Sequence, residues 1–253
     1  MHSTRWAILA AALAVAAAGQ DLKLDDIIKR SVDAQGGLDK IRAIQSMKVT
    51  GKMVLGGGSL EAPVVSYLKR PHCNRMEIRL QGQLIVDAYD GTTKWTINPM
   101  TGRTDAQKAE PDETLAAADD ADMIEGPLAD YKQKGSKVEL LGTEDVDGAS
   151  AYKMKVTFKS GSVRTVYVDA TTFLIAKEVT KVARQGQEFD TETLPSNYKK
   201  VNGVTMPFST TMKVNQQIGM QLEFEKVEMN VPVDDALFAF PAYPKTVDPP
   251  KPR

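Results

Sequence analysis

Val138–Val182 reads VELLGTEDVDGASAYKMKVTFKSGSVRTVYVDATTFLIAKEVTKV, and this stretch decides the fold. Within it Tyr152, Met154, Val156 and Phe158 take every second position, with Lys or Thr between them. A period of two is typical of a strand that has one buried face and one face in water. Similar segments precede and follow it, separated by short polar turns. The stretch therefore predicts a four-stranded antiparallel meander.

The same alternation extends in both directions along the chain. It runs upstream from Met47 to Asn98 and downstream from Phe189 to Phe224. Helical spacing is confined to three segments, namely Leu22–Gln35, Leu38–Ile44 and Asp112–Lys134, the last interrupted by Gly126-Pro127 and predicted as two short helices. Because no helix connects parallel strands, we expect a mainly β (α+β) fold. Its form would be an unclosed, strongly curved antiparallel β-barrel of about eleven strands, with helices covering one mouth.

The N-terminus has the pattern of an export signal. His2 and Arg5 precede an apolar run, Trp6–Ala18, that ends in small residues. This pattern predicts a cleaved signal peptide over residues 1–18, and the run is too short to span a bilayer. We expect a single domain over 19–241, a Pro-rich tail over 242–253, no transmembrane segment in the mature chain, and a periplasmic location.

Composition excludes some functions and disfavours others. The 253 residues carry a net charge of −1, which gives no basic field for nucleic acid. Cys73 is the single cysteine, and His72 beside it is the one histidine after the signal peptide. Adjacent strand residues point to opposite faces, so these two do not form a nucleophile and its base. They also cannot supply the ligands of a zinc site. We expect no metal, no cofactor and no enzymatic activity.

Methionine recurs on the predicted inward faces of the strands. The methionine side chain is flexible and polarizable, and it is frequent on surfaces that must accept apolar ligands of variable shape. The alternative interpretation is that these methionines only fill the core. A curved sheet too large to be filled by its own side chains favours a cavity for an apolar ligand. The residues predicted to line this cavity are Met47, Val49, Met53, Met76, Ile78, Leu84, Val86, Trp95, Met154, Val156, Phe158, Phe208, Met212, Met220 and Leu222.

Four segments, in this order, resemble the periplasmic lipoprotein carrier LolA and, more loosely, LolB. They are Lys69-Arg70-Pro71, Leu84–Pro99 (LIVDAYDGTTKWTINP), Ala151–Asp169 and Asp235–Pro241 (DALFAFP). The resemblance implies a LolA-like half-barrel with a helical lid over a cavity for acyl chains. It also implies that Arg70 holds the lid shut when the cavity is empty, by donating hydrogen bonds to backbone carbonyls of the 109–134 helices. Ala109–Lys134 does not read like that lid, and Tyr198–Phe224 adds long hairpin sequence, so the chain resembles a distant branch.

The resemblance leads to two hypotheses for function. The first is a periplasmic carrier that shields lipid or lipoprotein acyl chains and delivers them to the outer membrane. Its partners would be an inner-membrane transporter and an outer-membrane acceptor. The alternative is a periplasmic sensor or interaction module that binds a lipid or peptide, as RseB-like proteins do, without carrier activity.

Overall fold

One antiparallel sheet dominates the protein, as the meander predicted. The computed structural model describes residues 22–121, 124–184 and 187–241. Thirteen strands form a single open sheet in the order β6-β5-β4-β3-β2-β1-β15-β14-β11-β10-β9-β8-β7, and β12 pairs with β13. The strands are β1 (Ser46–Leu55), β2 (Leu60–Lys69), β3 (Cys73–Leu80), β4 (Gln83–Tyr89), β5 (Lys94–Asn98), β6 (Arg103–Lys108), β7 (Lys137–Val146), β8 (Ala149–Thr157), β9 (Val163–Asp169), β10 (Ile175–Arg184), β11 (Gln187–Ser196), β12 (Lys199–Val201), β13 (Val204–Met206), β14 (Ser209–Val214) and β15 (Gln217–Met229).

The fold class expected from the sequence is confirmed, with more strands than the expected eleven. β6 escaped prediction because its sequence, RTDAQK, has no apolar alternation and lies at an exposed edge of the sheet. β12 and β13 were expected within longer strands. They form their own hairpin around Asn202 and Gly203, whose φ angles of 49° and 82° fit a type I′ turn.

The helices confirm the sequence pattern near the N-terminus and depart from it later. They are α1 (Leu24–Ala34), α2 (Leu38–Arg42) and α3 (Pro111–Asp120). A second helix was expected before Lys134, but the described residues 124–135 form consecutive turns instead. Gly126 and Asp130 have positive φ angles of 71° and 53°, which a right-handed helix does not allow. None of the helices among the described residues is long and apolar enough to cross a membrane.

The position of α3 shows how strongly the sheet curls. Ala117 on this helix packs against Tyr89 on β4, and Asp120 at its end pairs with Arg164 on β9. Eight strand spacings separate β4 from β9 in the sheet. If the sheet were flat, these would span about 38 Å at about 4.8 Å each. A helix of this length extends about 15 Å. The sheet must therefore curl until its two halves face each other across α3.

The helices define an inner face of the sheet. Ile27 and Ile28 of α1 pack with Leu128 against Met154 and Val166, and these contacts form one of the apolar clusters of the core. The expected signal peptide over 1–18 and the Pro-rich tail over 242–253 lie outside the described residues.

Candidate functional site

The inner face carries an apolar surface built by five neighbouring strands, β15, β1, β2, β3 and β4. Within the described residues, its members are all strand residues, in contrast to the cluster that α1 covers. Several of the side chains remain half-buried rather than fully enclosed. We call this set the inner apolar surface; it consists of Met53, Leu55, Leu60, Ala62, Val64, Met76, Ile78, Leu80, Ile85, Met220, Leu222 and Phe224.

The pairing of the strands explains why these residues share one face. Met53 lies opposite Ala62 on β2 and Leu222 on β15. Ile78 lies opposite Val64 on one side and Ile85 on the other. Directly opposed residues of antiparallel strands project from the same face, and every second residue along each strand joins them.

A glycine allows two of these strands to approach closely. The pairing of β1 with β15 shifts register between Thr50 and Gly51. A Cβ atom on Gly51 would lie 2.1 Å from the carbonyl oxygen of Glu223, so no other residue fits without movement of the backbone. Bulges of this kind bend a strand and increase local twist, which contributes to the curl of the sheet.

The structure brings some of the residues predicted to line a cavity onto this surface. Five predicted lining residues belong to it, namely Met53, Met76, Ile78, Met220 and Leu222. Met212 lies directly opposite Met220 and so faces the same side. The prediction missed Leu55, Leu60, Ala62, Val64, Leu80, Ile85 and Phe224. The period-two alternation contained the signal for these residues, because they take alternate positions along their strands on the same face as the methionines.

Other predicted lining residues lie on the inner face but under cover. Met154 and Val156 are fully buried beneath α1 and Leu128, with Phe158 packed at the margin. Met47 and Val49 form a cluster with Leu68 that Ile124 and Met206 cover, among others. Phe208 is buried, and its carbonyl oxygen accepts a hydrogen bond from the amide of Phe224. These residues hold the fold together rather than offering a free surface.

Three predicted lining residues lie on the opposite face, which corrects that part of the prediction. Leu84 and Val86 flank the inward Ile85, and Trp95 shares their outer face because it pairs with Ala88. The chain's C-terminal segment covers them: the Trp95 indole donates to the carbonyl oxygen of Phe238 at 2.7 Å, and Phe240 packs edge-on at 6.2 Å between ring centroids.

Arg70 joins three parts of the chain at the end of the sheet where β2 finishes. Its Nε donates to the carbonyl oxygen of Ile44 at 2.6 Å, and its Nη2 donates to that of Ile41 at 3.0 Å. Its Nη1 donates to Glu125 Oε1 at 2.6 Å. The sequence resemblance led us to expect bonds to backbone carbonyls of residues 109–134. The carbonyls instead belong to α2 and the residues after it, while the 109–134 region supplies a carboxylate.

Glu125 anchors the 124–135 segment. Its carboxylate is 9% exposed and also accepts from Lys134, whose Nζ lies 3.1 Å from Oε2. Burial tends to raise the pKa of Glu125, but the hydrogen bonds and charges of Lys134 and Arg70 outweigh it and lower the pKa below its usual value. The carboxylate is therefore ionised and held by two cations in the neutral pH range.

The end of α3 is fixed by a second polar cluster on the inner face. Arg164 on β9 bonds to Asp120, and its Nη1 donates to Glu178 at 3.0 Å. Asp119 accepts from the hydroxyls of Ser160 and Ser162 in the turn between β8 and β9. Burial raises the pKa of Glu178 although Arg164 opposes it. These contacts hold α3 across the opening between the two halves of the sheet.

Two surface cavities lie away from the predicted lining residues. One, of about 550 Å³, is bordered by Gln45, Lys69 and the stretch from Val231 to Asp234. The other, of about 360 Å³, lies between α1 and the 124–135 segment and is bordered by Ile28, Leu128 and several charged residues. Among the described residues, no three His, Cys, Asp or Glu side chains lie close enough together to hold a metal ion.

Comparison with known proteins agrees with this architecture. No protein-family model matches the chain, and no curated protein is significantly similar to it in sequence. A LolA superfamily protein from Nitrosomonas europaea superposes with a TM-score of 0.56 at 12% identity, covering 86% of this chain and 98% of that one. A DUF1329 family protein from Desulfovibrio piger gives a TM-score of 0.54 at 16% identity, covering 85% and 96%.

A third solved structure carries a description of its role. The putative outer membrane lipoprotein-sorting protein domain from Vibrio parahaemolyticus gives a TM-score of 0.52 at 11% identity, covering 84% of this chain and 94% of that domain. Identities this low establish a shared architecture. This chain therefore has a LolA-like fold.

Proposed function

We propose that this protein is a periplasmic carrier that binds the acyl chains of a lipid or lipoprotein on its inner apolar surface and delivers them to the outer membrane. The observation that carries the proposal is the inner apolar surface itself, an apolar face shared by five strands on which seven of the twelve side chains are only half-buried. Each methylene group removed from water contributes about 0.8 kcal/mol, so an acyl chain lying along this surface would bind favourably.

Two further features support a carrier. Helix α3 and the 124–135 segment lie against the inner face, where ion pairs and hydrogen bonds hold them in addition to apolar contacts such as that of Leu128. The polar bonds can be exchanged for bonds to water when a segment opens, and access for a bulky apolar ligand requires opening. The lipoprotein-sorting description of the Vibrio structure, carried over to this chain, agrees with acyl chains as cargo.

Native mass spectrometry tests the proposal. The full-length chain would be expressed in a Gram-negative host, purified from the periplasm without detergent, and sprayed under non-denaturing conditions. We expect a mass increment that corresponds to bound phospholipid or to a lipoprotein, and the loss of that increment in the Ile78→Asp variant. A stoichiometric protein without acyl chains would instead favour the interaction module. A chain free of both, whose mass does not change with added lipid, would contradict the carrier.

A further inference from the structure

Three hairpin tips at one end of the sheet share an unusual lack of charge. They follow β1, β3 and β14, and because β4-β3, β2-β1 and β15-β14 are consecutive in the sheet, the tips lie side by side. All of their residues are exposed and none is acidic or basic. We call this set the uncharged rim; it consists of Gly56–Ser59, Gln81–Gln83 and Asn215–Gly219.

Four other turns of the main sheet provide a contrast. Those after β4, β7, β8 and β9 contain or adjoin a charged residue, namely Asp90, Asp147, Lys159 and Asp169. Charged turns are ordinary for a surface in water. Three adjacent turns without a charge form a surface whose removal from bulk water does not require desolvating an ion.

Apolar residues flank each tip of the uncharged rim on both sides. The pairs are Leu55 and Leu60, Leu80 and Leu84, and Val214 and Met220. At the third tip the apolar side chains reach solvent: Val214 is 43% exposed and Ile218 within the tip is 60% exposed. Amphipathic surfaces of this kind insert into the boundary between lipid headgroups and acyl chains.

Two cations lie next to the uncharged rim. Arg79 precedes the second tip and is exposed, and Lys213 precedes the third. Among the described residues, neither side chain makes a hydrogen bond or an ion pair. Basic side chains close to an inserted apolar surface are attracted to anionic lipid headgroups, and each such residue near the surface adds to binding.

The uncharged rim is continuous with the inner apolar surface. Leu55, Leu60, Leu80 and Met220 belong to both the flanks of the rim and that surface. An acyl chain that left a bilayer at the uncharged rim would therefore reach the inner apolar surface without crossing water. Arg70, by contrast, lies at the other end of β2, where α2 and the 124–135 segment are attached.

We propose that the uncharged rim docks onto a bilayer that contains anionic phospholipid, with Ile218 and Val214 inserted among the headgroups. The uncharged rim would then be the surface through which the proposed carrier exchanges its cargo with the bilayer. The exchange of cargo rests on the proposed function. Docking itself depends only on the uncharged rim and its two cations.

Vesicle co-sedimentation tests this docking. The probes are vesicles of phosphatidylcholine with and without phosphatidylglycerol. We expect the full-length mature chain to sediment with the anionic vesicles. The double variant Val214→Gln, Ile218→Gln keeps the net charge and should lower the partition coefficient by about tenfold or more. The matched control is Leu141→Gln, because Leu141 is 53% exposed on the edge strand β7, away from the uncharged rim. It should sediment like the parent chain.

A second pair of variants separates docking from cargo binding. The double variant Arg79→Gln, Lys213→Gln should sediment less with the anionic vesicles at low salt. Its sedimentation should depend little on the salt concentration. The Ile78→Asp variant should lose binding of a fluorescent fatty acid and still sediment, which would show that docking is correct even if the carrier is not. Unchanged melting temperatures would show that the variants fold. Failure of the parent chain to sediment with anionic vesicles, or equal losses in the Leu141→Gln control, would overturn the docking proposal.

Discussion

Arg70 and Glu125 form an ion pair across 55 residues of sequence, with 2.6 Å between Nη1 and Oε1. The same guanidinium donates to the carbonyl oxygens of Ile41 and Ile44. One side chain therefore ties the end of β2 to α2 and to the 124–135 segment. Each of the three guanidinium nitrogens donates to a different acceptor, an arrangement that suits the fixed fork of donors in arginine and not the single ammonium group of lysine.

Arg70→Leu is expected to loosen the 124–135 segment. Hydrogen bonds to charged groups contribute about 1.5–3 kcal/mol, so loss of the pair would shift the segment roughly tenfold to hundredfold toward detachment. If the detached state is the one that holds ligand, this variant should bind a fluorescent fatty acid more tightly and release it to acceptor vesicles more slowly. Arg70→Lys should lie between the two. Weaker binding by a variant that melts normally would mean that Arg70 contacts the ligand and does not gate.

The attachment of Glu125 should depend on pH. Its pKa in the folded protein is lowered, so its ionised form stabilises the fold above the unfolded pKa near 4.5, and this stabilisation is lost as the pH falls through the folded value. Between about pH 5 and pH 3 the melting temperature should fall more steeply for the parent chain than for Glu125→Gln. At pH 7 the variant should be less stable by about 1–2 kcal/mol, because Arg70 and Lys134 lose a charged partner. Parallel curves over this pH range would exclude the role of Glu125.

Met154→Asp separates a core methionine from a ligand-binding one. Met154 is fully buried beneath α1, so a carboxylate there would be an uncompensated charge in the core. We expect loss of cooperative unfolding, observed by circular dichroism, rather than a selective loss of ligand binding. Met212→Asp, at a half-buried position opposite Met220, should remain folded. A stable Met154→Asp protein with native spectra would show that α1 does not seal this part of the sheet.

The alternation of residues predicted which side chains share a face, but it could not show which face is inner. In β4, Leu84 and Val86 alternate with Ile85 and Asp87, and the more apolar pair appeared to be the inner one. They are apolar because the C-terminal segment covers the outer face, through a contact between Trp95 and Phe238 that spans 143 residues of sequence. A contact of that separation leaves no trace in local periodicity.

Local patterns also could not predict what the 124–135 segment does. Its apolar residues have approximate helical spacing, yet the backbone takes positive φ at Gly126 and Asp130. The Arg42–Asp130 and Arg70–Glu125 ion pairs hold the segment in place. These partners are distant in sequence. The identity of Arg70 as a tether came from the resemblance of Lys69-Arg70-Pro71 to the LolA motif, and its acceptors came from the structure.

Removal of the first residues remains a prediction of the sequence. The mature chain should begin at Gly19, Gln20 or Asp21, because the small residues before these positions fit the cleavage site of a signal peptide. N-terminal sequencing of exported protein would establish the start. An exported chain that retains Met1 would contradict this prediction.

Ile78→Asp and Thr211→Asp test the inner apolar surface most directly. Both residues are β-branched and half-buried, and each substitution adds one negative charge. Ile78 lies on the inner apolar surface, whereas Thr211 precedes the inward-facing Met212 and lies opposite the uncharged Gln221 on the outer face. An ionised carboxylate within an apolar surface is strongly unfavourable, so Ile78→Asp should weaken binding of a fluorescent fatty acid by at least about tenfold. Thr211→Asp should bind within about twofold of the parent chain, since its carboxylate stays in water. Melting temperatures of the two variants would be compared to confirm that both fold. If both variants lost binding to the same extent while remaining folded, the ligand would not distinguish the two faces, and the inner apolar surface would not be its binding site.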